Sequence, residues 1–180
     1  MAGKAPTLWI VVALIAAGPS WAQTVSWNLV DAGVWQIDPD SADRDEGWFA
    51  GGSFELGRKT RFHVLGEYGD FGDFGLWQLG GGWHGLLGDR ADLFADLSFS
   101  DADTEDGFKL RFGVRWSVLA RLELNGNVGW TDLDFNENES LAVNGIWSFH
   151  KRIGVGAGYE AGSEFNLVRA FVRFRFGSQE

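Results

Sequence analysis

The chain has no cysteine and only three prolines among its 180 residues. Without cysteine, the protein cannot use the disulfides that stabilise many small exported domains. The shortage of proline argues against a proline-rich disordered linker. Glycine, in contrast, numbers 26, roughly double its usual share of about 7%, which argues against long helices. An aromatic content of 15% supplies ample apolar surface, so we expect one folded domain.

Long apolar runs are missing too, except for one near the N-terminus. Residues 8–18 form an uninterrupted apolar run of 11 residues that follows Lys4. The segment Ser20-Trp21-Ala22 places small residues at both positions of a cleavage site. Because the run is much shorter than the ~20 residues of a spanning helix, it is typical of a secretory signal peptide. We predict a signal peptide over residues 1–22 and a mature domain over residues 23–180.

Basic residues are few in the predicted mature chain. It carries 14 lysines and arginines against 25 acidic residues, which gives a net charge of −11. Such an acidic surface repels the phosphates of nucleic acids. We therefore expect no nucleic-acid partner.

Helical periodicity is not sustained anywhere in the mature chain, whereas apolar and polar residues alternate repeatedly. In the clearest segment, Phe108, Leu110 and Phe112 alternate with Lys109 and Arg111. Each segment has about ten residues, close to the ~9–11 of a tilted strand that crosses a bilayer. This pattern predicts an all-β fold, an antiparallel up-and-down transmembrane β-barrel of ten strands, with eight as the alternative. The predicted strands cover residues 25–37, 48–56, 62–68, 77–83, 93–99, 108–116, 122–130, 141–149, 153–159 and 168–176.

The connections between these segments are of two kinds that alternate along the chain. One kind is longer and acidic, as in residues 38–46 and 131–139, and the other is short and mostly carries a cation, as in residues 57–59 and 150–152. Outer-membrane barrels have long external loops and short periplasmic turns. We therefore expect a location in the cell outer membrane with both termini in the periplasm. A soluble exported barrel of the lipocalin kind, with its apolar side chains inside, is the alternative.

Eight tryptophans of the mature chain lie at the ends of the predicted strands. Indole rings favour the membrane–water interface, so two opposed rings of tryptophan indicate aromatic girdles and an outward apolar face. Asp31 does not fit, because it shares a face with two of these tryptophans and would point at lipid unless a bulge near Ala32-Gly33 turned it inward. The predicted girdles consist of Trp35, Trp48, Trp77 and Trp130 at the loop ends and Trp27, Trp83, Trp116 and Trp147 at the turn ends.

With the apolar faces outward, charged side chains of both signs line the lumen. Symmetric turns would place Glu55 opposite Arg61, and Arg115 opposite Glu123. Buried charges need partners, and a ten-stranded barrel with paired charges should be largely closed. A narrow conducting path is the alternative. The predicted lumen network comprises Glu55, Arg61, Glu67, Asp96, Lys109, Arg111, Arg115, Glu123, Glu160, Arg169 and Arg173, and Arg175 shares the lumen face of the last strand.

Two histidines, His63 and His84, also point into the predicted lumen on consecutive strands. A symmetric loop would place them opposite each other near Glu67, and two imidazoles with a carboxylate could hold a transition metal. Hydrogen-bonded lumen histidines are the simpler interpretation, so we predict neither a metal nor another cofactor. The acidic segment 101–107 resembles a calcium loop, but its glycine and distal glutamate do not have EF-hand spacing.

Motifs for catalysis are weak. The sequence has no Gly-x-Ser-x-Gly elbow and no phosphate-binding loop. Ser148 and His150 have the spacing of a lipid A deacylase pair but lie at a turn without an evident carboxylate. We therefore predict no catalytic residues and no enzymatic activity, with a lipid-modifying enzyme as a less favoured alternative.

Several strands resemble the small porin-family barrels of the OmpA-like superfamily. Residues 27–35 look like the first strand of such proteins, and residues 47–54, 62–68 and 79–83 are similar to the strands that follow. The resemblance covers most of the mature chain, but its motifs are generic to the architecture. It implies an outer-membrane location, insertion by the barrel assembly machinery and no cofactor. OmpA itself has eight strands, and the family usually ends on an aromatic residue, whereas four residues follow Phe176 here.

We therefore expect a non-enzymatic outer-membrane barrel with a structural or surface-interaction role, acting as a monomer in contact with membrane lipid and lipopolysaccharide. The main alternative is a narrow porin-like channel for small solutes.

Overall fold

The computed structural model describes residues 25–39, 44–57, 60–72, 75–102, 105–133 and 136–177. The predicted signal peptide and parts of the acidic connections lie outside the described residues. Within these ranges the chain forms ten strands, and no helix is long and apolar enough to cross a membrane. The strands are β1 (Leu29–Pro39), β2 (Asp45–Glu55), β3 (Phe62–Asp70), β4 (Gly75–Leu86), β5 (Ala91–Ala102), β6 (Glu105–Leu119), β7 (Leu122–Leu133), β8 (Asn136–Ser148), β9 (Ile153–Gly162) and β10 (Phe165–Arg175).

The ten strands close into a barrel. Each strand pairs antiparallel with the next in the chain, and β10 pairs with β1 from Leu29–Arg175 at one end to Pro39–Phe165 at the other. Closure pairs the backbone of the first and last strands and leaves no open sheet edge. The predicted antiparallel up-and-down barrel is confirmed, with ten strands rather than eight.

The barrel has two ends. The terminal end is the rim where β1 begins and β10 stops, and it carries the turns after β2, β4, β6 and β8. Two of these turns use glycine in the left-handed region, Gly57 at φ 102° and Gly88 at φ 81°. The loop end is the opposite rim, with the connections after β1, β3, β5, β7 and β9.

Most connections at the loop end are shorter than the sequence predicts, because the strands extend into them, and the predicted contrast between longer loops and shorter turns is wrong. Residues 131–139, predicted as an acidic loop, belong mostly to β7 and β8, which stop only two residues apart. Likewise β6 has 15 residues instead of the nine in the predicted segment. Antiparallel pairing depends on the backbone, so it continues beyond the segments in which apolar and polar side chains alternate.

Strands β2–β10 turn their apolar faces outward, as predicted. On β6, for example, Phe108 and Phe112 are exposed, whereas Arg115 is buried inside the barrel. The exposed apolar side chains form a band around the outside. The lumen therefore receives most of the charged residues of the strands.

Strand β1 has the opposite orientation to the one predicted. Val30 and Val34 are 46% and 61% exposed, whereas Leu29 and Trp35 are buried inside the barrel. Both faces of this strand are apolar, so its alternation alone did not determine which face points outward. Pairing with β2 and β10 continues without a bulge, and Asp31 consequently points into the lumen.

Part of the lumen is apolar. The Trp35 indole stacks on the Phe71 ring at 4.4 Å between centroids and on the Phe49 ring at 5.1 Å. Phe171 on β10 meets Phe49 edge-on at 6.2 Å. Gly69 on β3 lies directly under the Trp35 ring, where a Cβ atom would overlap the indole. Apolar side chains therefore occupy the inside of the barrel near β1, β2, β3 and β10, which explains why polarity misassigned β1.

Candidate functional site: the charged lumen

Five charged side chains near the terminal end form what we term the terminal cluster: Asp31, Arg115, Glu123, Arg173 and Arg175. Glu123 on β7 lies at its centre and accepts hydrogen bonds from Arg115 at 2.8 Å and Arg173 at 3.0 Å. Its second oxygen accepts one from Arg175 at 3.1 Å. Arg173 also donates two hydrogen bonds to Asp31, at 2.7 and 2.8 Å. The cluster joins β1, β6, β7 and β10 across the lumen.

The terminal cluster is shielded from solvent. The side chains of Arg115, Arg173 and Arg175 are only 3%, 7% and 1% exposed, and that of Glu123 is 6% exposed. Charges in such an environment require close partners, because desolvation is otherwise prohibitive. The short contacts meet that requirement, and Asp31, with a side chain 16% exposed, is the most accessible member of the cluster.

Trp27 lies beside the terminal cluster, immediately before β1. Its indole stacks on the imidazoles of His63 and His84, with centroids 4.2 and 4.8 Å away. The guanidinium carbon of Arg115 lies 4.6 Å from the indole centroid, within cation–π range. The indole N–H donates to Asp92 at 2.9 Å. Trp27 is thus a lumen residue, which corrects its prediction as a girdle residue.

The two histidines have separate partners instead of sharing one site. His63 Nε2 lies 2.9 Å from Asp96, whose other oxygen accepts a hydrogen bond from Arg111 at 3.0 Å. His84 lies 3.5 Å from Glu55 and 3.8 Å from Asp92. The described residues contain no group of three His, Cys, Asp or Glu side chains arranged to hold a metal.

The registers of these strands differ from the predicted ones by two residues. His63 lies opposite Gly82, not His84, and Glu67 lies opposite Gln78, to which it hydrogen-bonds at 2.8 Å. Glu55 lies opposite His63, while Arg61 is exposed at the turn, so the predicted Glu55–Arg61 pairing is wrong.

The predicted Arg115–Glu123 contact is present, although by a diagonal route. Arg115 lies opposite Asn125 in the register, and its side chain reaches diagonally to Glu123, two residues away on the same face of β7. In each of these hairpins the centre of the turn is displaced by one residue, which changes the register by two. An even change leaves every side chain on its predicted face, because the side-chain period of a strand is two.

A second set of charges lies nearer the middle of the lumen. This mid-lumen group consists of Glu67, Lys109, Arg111, Glu160 and Arg169. Lys109 contacts Glu160 at 3.3 Å, and Arg169 lies 4.0 Å from Glu67. The five side chains of the mid-lumen group are between 12% and 23% exposed. The arginine side chains of the terminal cluster are less exposed, between 1% and 7%. Solvent therefore reaches the middle of the lumen.

A cavity of about 110 Å³ lies in the centre of the barrel. It is lined by Glu67, Arg111 and Arg169 of the mid-lumen group, by the Trp27 indole, and by Asp31, Arg115 and Arg173 of the terminal cluster. The Nε atom of Arg111 is buried without a hydrogen-bond partner. The cavity is thus polar on most sides and bounded by an aromatic ring.

The remaining tryptophans lie mostly outside the barrel. Trp35 is the second correction, because it belongs to the apolar cluster inside. Facing outward are Trp48, Trp77 and Trp130 towards the loop end and Trp83, Trp116 and Trp147 towards the terminal end.

Sequence reasoning missed two residues of this site. Asp92 lies one residue before the predicted fifth strand and was therefore not assigned a face. Asp31 was assigned to lipid, although a carboxylate on that face was itself a signal that the strand had been placed with the wrong face outward.

No protein-family model matches the sequence, and no curated protein matches it significantly. Among solved structures, the barrel is similar to KdgM porin, with a TM-score of 0.56 and 8% identity, covering 82% of this chain and 99% of that one. An outer-membrane channel from Pseudomonas putida F1 gives a TM-score of 0.51 at 7% identity, covering 89% and 100%. The β domain of the Bordetella autotransporter BrkA gives 0.50 at 11% identity, covering 84% and 100%.

The structural neighbours are all closed β-barrels of outer-membrane proteins. The chain shares the closed barrel architecture of outer-membrane porins, and at such low identities the likeness extends to the fold alone. The narrower resemblance to the OmpA-like superfamily is not specifically supported by these neighbours.

Proposed function

We propose that the protein is a non-enzymatic β-barrel of the outer membrane, with a lumen closed at the terminal end and a structural or surface-interaction role. The observation that carries this proposal is the terminal cluster, in which buried guanidinium and carboxylate groups bind one another across the lumen. With Trp27 beside it, the cluster fills the section that a diffusing solute would have to cross.

The outer surface supports the membrane location. Large apolar side chains such as Val34, Leu79 and Leu141 are exposed on strands all around the barrel. A continuous band of this size is not typical of a soluble monomer, whereas lipid solvates it favourably. Lipid and lipopolysaccharide are therefore the expected partners of a monomeric barrel, inserted by the barrel assembly machinery with its terminal end towards the periplasm.

The contacts of Ser148 and His150 argue against the lipid A deacylase alternative. Ser148 is buried, and its hydroxyl accepts a hydrogen bond from Arg175 at 2.9 Å. His150 lies in an exposed turn, where its Nδ1 atom accepts a hydrogen bond from the Arg152 backbone N–H at 3.2 Å. The two side chains therefore face different environments and do not form a nucleophile–base pair.

The location and fold are tested by heat-modifiable gel migration of the protein from the outer-membrane fraction. We expect the unboiled barrel to resist SDS and to migrate differently from the boiled chain. A soluble protein in the periplasmic fraction without a mobility shift would contradict the membrane location.

The closed lumen is tested by planar-bilayer recording on the refolded, heat-modifiable protein. We expect no discrete conductance steps across a range of salts and voltages. Regular steps in the wild type would overturn the closed-lumen proposal and favour a channel.

A narrow channel is the second candidate, favoured by the solvent-accessible mid-lumen group and its cavity. In that case the charges of Lys109 and Arg169 would bias ion selectivity. Arg169→Glu would then shift the reversal potential in a salt gradient towards cation preference, whereas Glu164→Gln on the exposed loop end would not.

A further inference from the structure

We infer that residues 25–28, which carry Trp27, form a plug that can be withdrawn from the terminal end of the barrel to open the lumen. The inference rests on the proposed closure of the lumen and identifies the part of that closure that can move.

The first observation is how far Trp27 reaches. It precedes β1, yet its indole contacts His63 on β3, His84 on β4 and Asp92 on β5. It also packs against Arg115 on β6, the strand diametrically opposite β1 in a ring of ten. The indole therefore extends across the lumen instead of filling space beside its own strand.

The second observation is what lies on either side of the indole. Towards the barrel centre, Trp27 lines the cavity that the mid-lumen group borders. Towards the terminal rim, it contacts His84, whose side chain and that of its neighbour Glu55 are 12% and 28% exposed. Trp27 thus lies between solvent at the terminal rim and the central cavity, beside Arg115 and Arg173, which also line the cavity.

The third observation is the way in which the segment is attached. Residues 25–28 do not belong to a strand, and individual hydrogen bonds hold them in place. The Ser53 hydroxyl donates to the Trp27 carbonyl at 2.6 Å, and Arg115 donates to the Ser26 carbonyl at 2.9 Å. The Asn28 side chain accepts from the Glu55 backbone N–H at 2.9 Å, and the Asn28 carbonyl accepts from the Phe176 backbone N–H at 3.0 Å.

The terminal cluster has a different attachment. Its side chains project from paired positions of β1, β6, β7 and β10, so they stay in the lumen while the barrel is closed. Withdrawal of residues 25–28 exchanges a few hydrogen bonds for bonds to water at a small net cost per bond, and its main cost is the exposure of the Trp27 indole, which is 6% exposed in the closed barrel. The plug is therefore the part of the closure that can move.

The experiment compares Trp27→Ala with wild type and with Trp116→Ala, an outward tryptophan at the same end. Heat-modifiable migration first shows that each variant is folded. In planar bilayers we expect Trp27→Ala to gain discrete conductance steps that Trp116→Ala lacks. A folded Trp27→Ala barrel that conducts no more than wild type would overturn the plug.

A single thiol provides a second test should Trp27→Ala fail to fold. The chain has no cysteine, so Ser26→Cys can be labelled uniquely with a bulky maleimide while unfolded and then refolded. We expect the bulky label to keep residue 26 outside the terminal end of the barrel, so that the labelled barrel conducts. A Ser163→Cys barrel labelled at the loop end is the control and should not gain conductance. A folded, fully labelled Ser26→Cys barrel without a gain in conductance would overturn the plug.

These outcomes separate the plug from the closed lumen. Conductance by the wild type itself contradicts the proposed closure, and the plug then depends on whether Trp27→Ala increases that conductance. Silence of wild type and of both plug variants retains the closure but assigns it to the terminal cluster.

Discussion

Glu123 accepts hydrogen bonds from three guanidinium groups, and the four side chains are buried together. Each arginine depends on this carboxylate to offset the loss of hydration. Arg173 has Asp31 as a second carboxylate partner, whereas no other carboxylate contacts Arg115 or Arg175 among the described side chains. Glu123 therefore supplies most of the negative charge that compensates the buried arginines of the terminal cluster.

Replacing Glu123 by glutamine should destabilise the folded barrel by about 3–5 kcal/mol, because buried Arg115 and Arg175 lose their carboxylate partner and Arg173 loses one of its two. Urea-dependent unfolding in lipid vesicles, followed by the gel mobility shift, measures the difference. Glu164→Gln, at an exposed position of the loop end, is the matched control and should leave the midpoint unchanged. Equal midpoints for Glu123→Gln and wild type would show that the cluster is not a stabilising centre.

Gly69 is a second position at which one residue controls local packing. A Cβ atom there would overlap the Trp35 indole, so Gly69→Ala should destabilise the barrel by about 1–3 kcal/mol through overpacking. Gly66→Ala on the same strand is the control, because its nearest heavy atoms are 3.6 Å away, an ordinary contact. The same unfolding assay compares them, and similar losses from both substitutions would contradict the packing of Trp35 in the lumen.

At the scale of the element, β1 shows that alternation of apolar and polar residues can identify a strand without identifying its outward face. The sequence correctly indicates a strand from its period of two, but apolar residues occur on both faces. Lumen aromatics such as Phe49 and Phe171 form an apolar interior against β1, so Trp35 is as well accommodated inside as outside. Local polarity is therefore insufficient here, and pairing with β2 and β10 sets the orientation.

Substitution of Val34 by arginine tests this orientation. Val34 lies at the centre of β1 and faces outward, so the change should cost about 2–4 kcal/mol in lipid vesicles. Gln36→Arg is on the same face but nearer the loop end, where an arginine costs about 0–1 kcal/mol. Unfolding in vesicles measures both. A Val34→Arg barrel as stable as Gln36→Arg would support the inward orientation predicted from the sequence.

At the scale of the whole molecule, closure joins residues that are far apart in the chain. The seam between β1 and β10 brings Asp31 to Arg173, and the lumen contacts bring Arg173 to Glu123. Neither hairpin contacts nor strand patterns specify these partners. The terminal cluster is thus a property of the closed barrel.

Removal of β10 tests this dependence on closure. A chain that stops after Glu164 lacks Arg173 and Arg175 and leaves β1 and β9 with open edges. We expect it to form no heat-modifiable species in detergent or vesicles. A chain that stops after Gly177 retains the seam and should show the normal shift. A stable shifted species without β10 would contradict closure as the source of stability.

The number and order of strands, the antiparallel topology and the outward face of β2–β10 followed from the sequence alone, because a period of two is a local property that backbone geometry imposes. The orientation of β1, the two-residue changes of register and the inward positions of Trp27 and Trp35 did not. These depend on where each turn is centred and on the fit of large side chains inside a closed ring. Only the tertiary structure brings those constraints together.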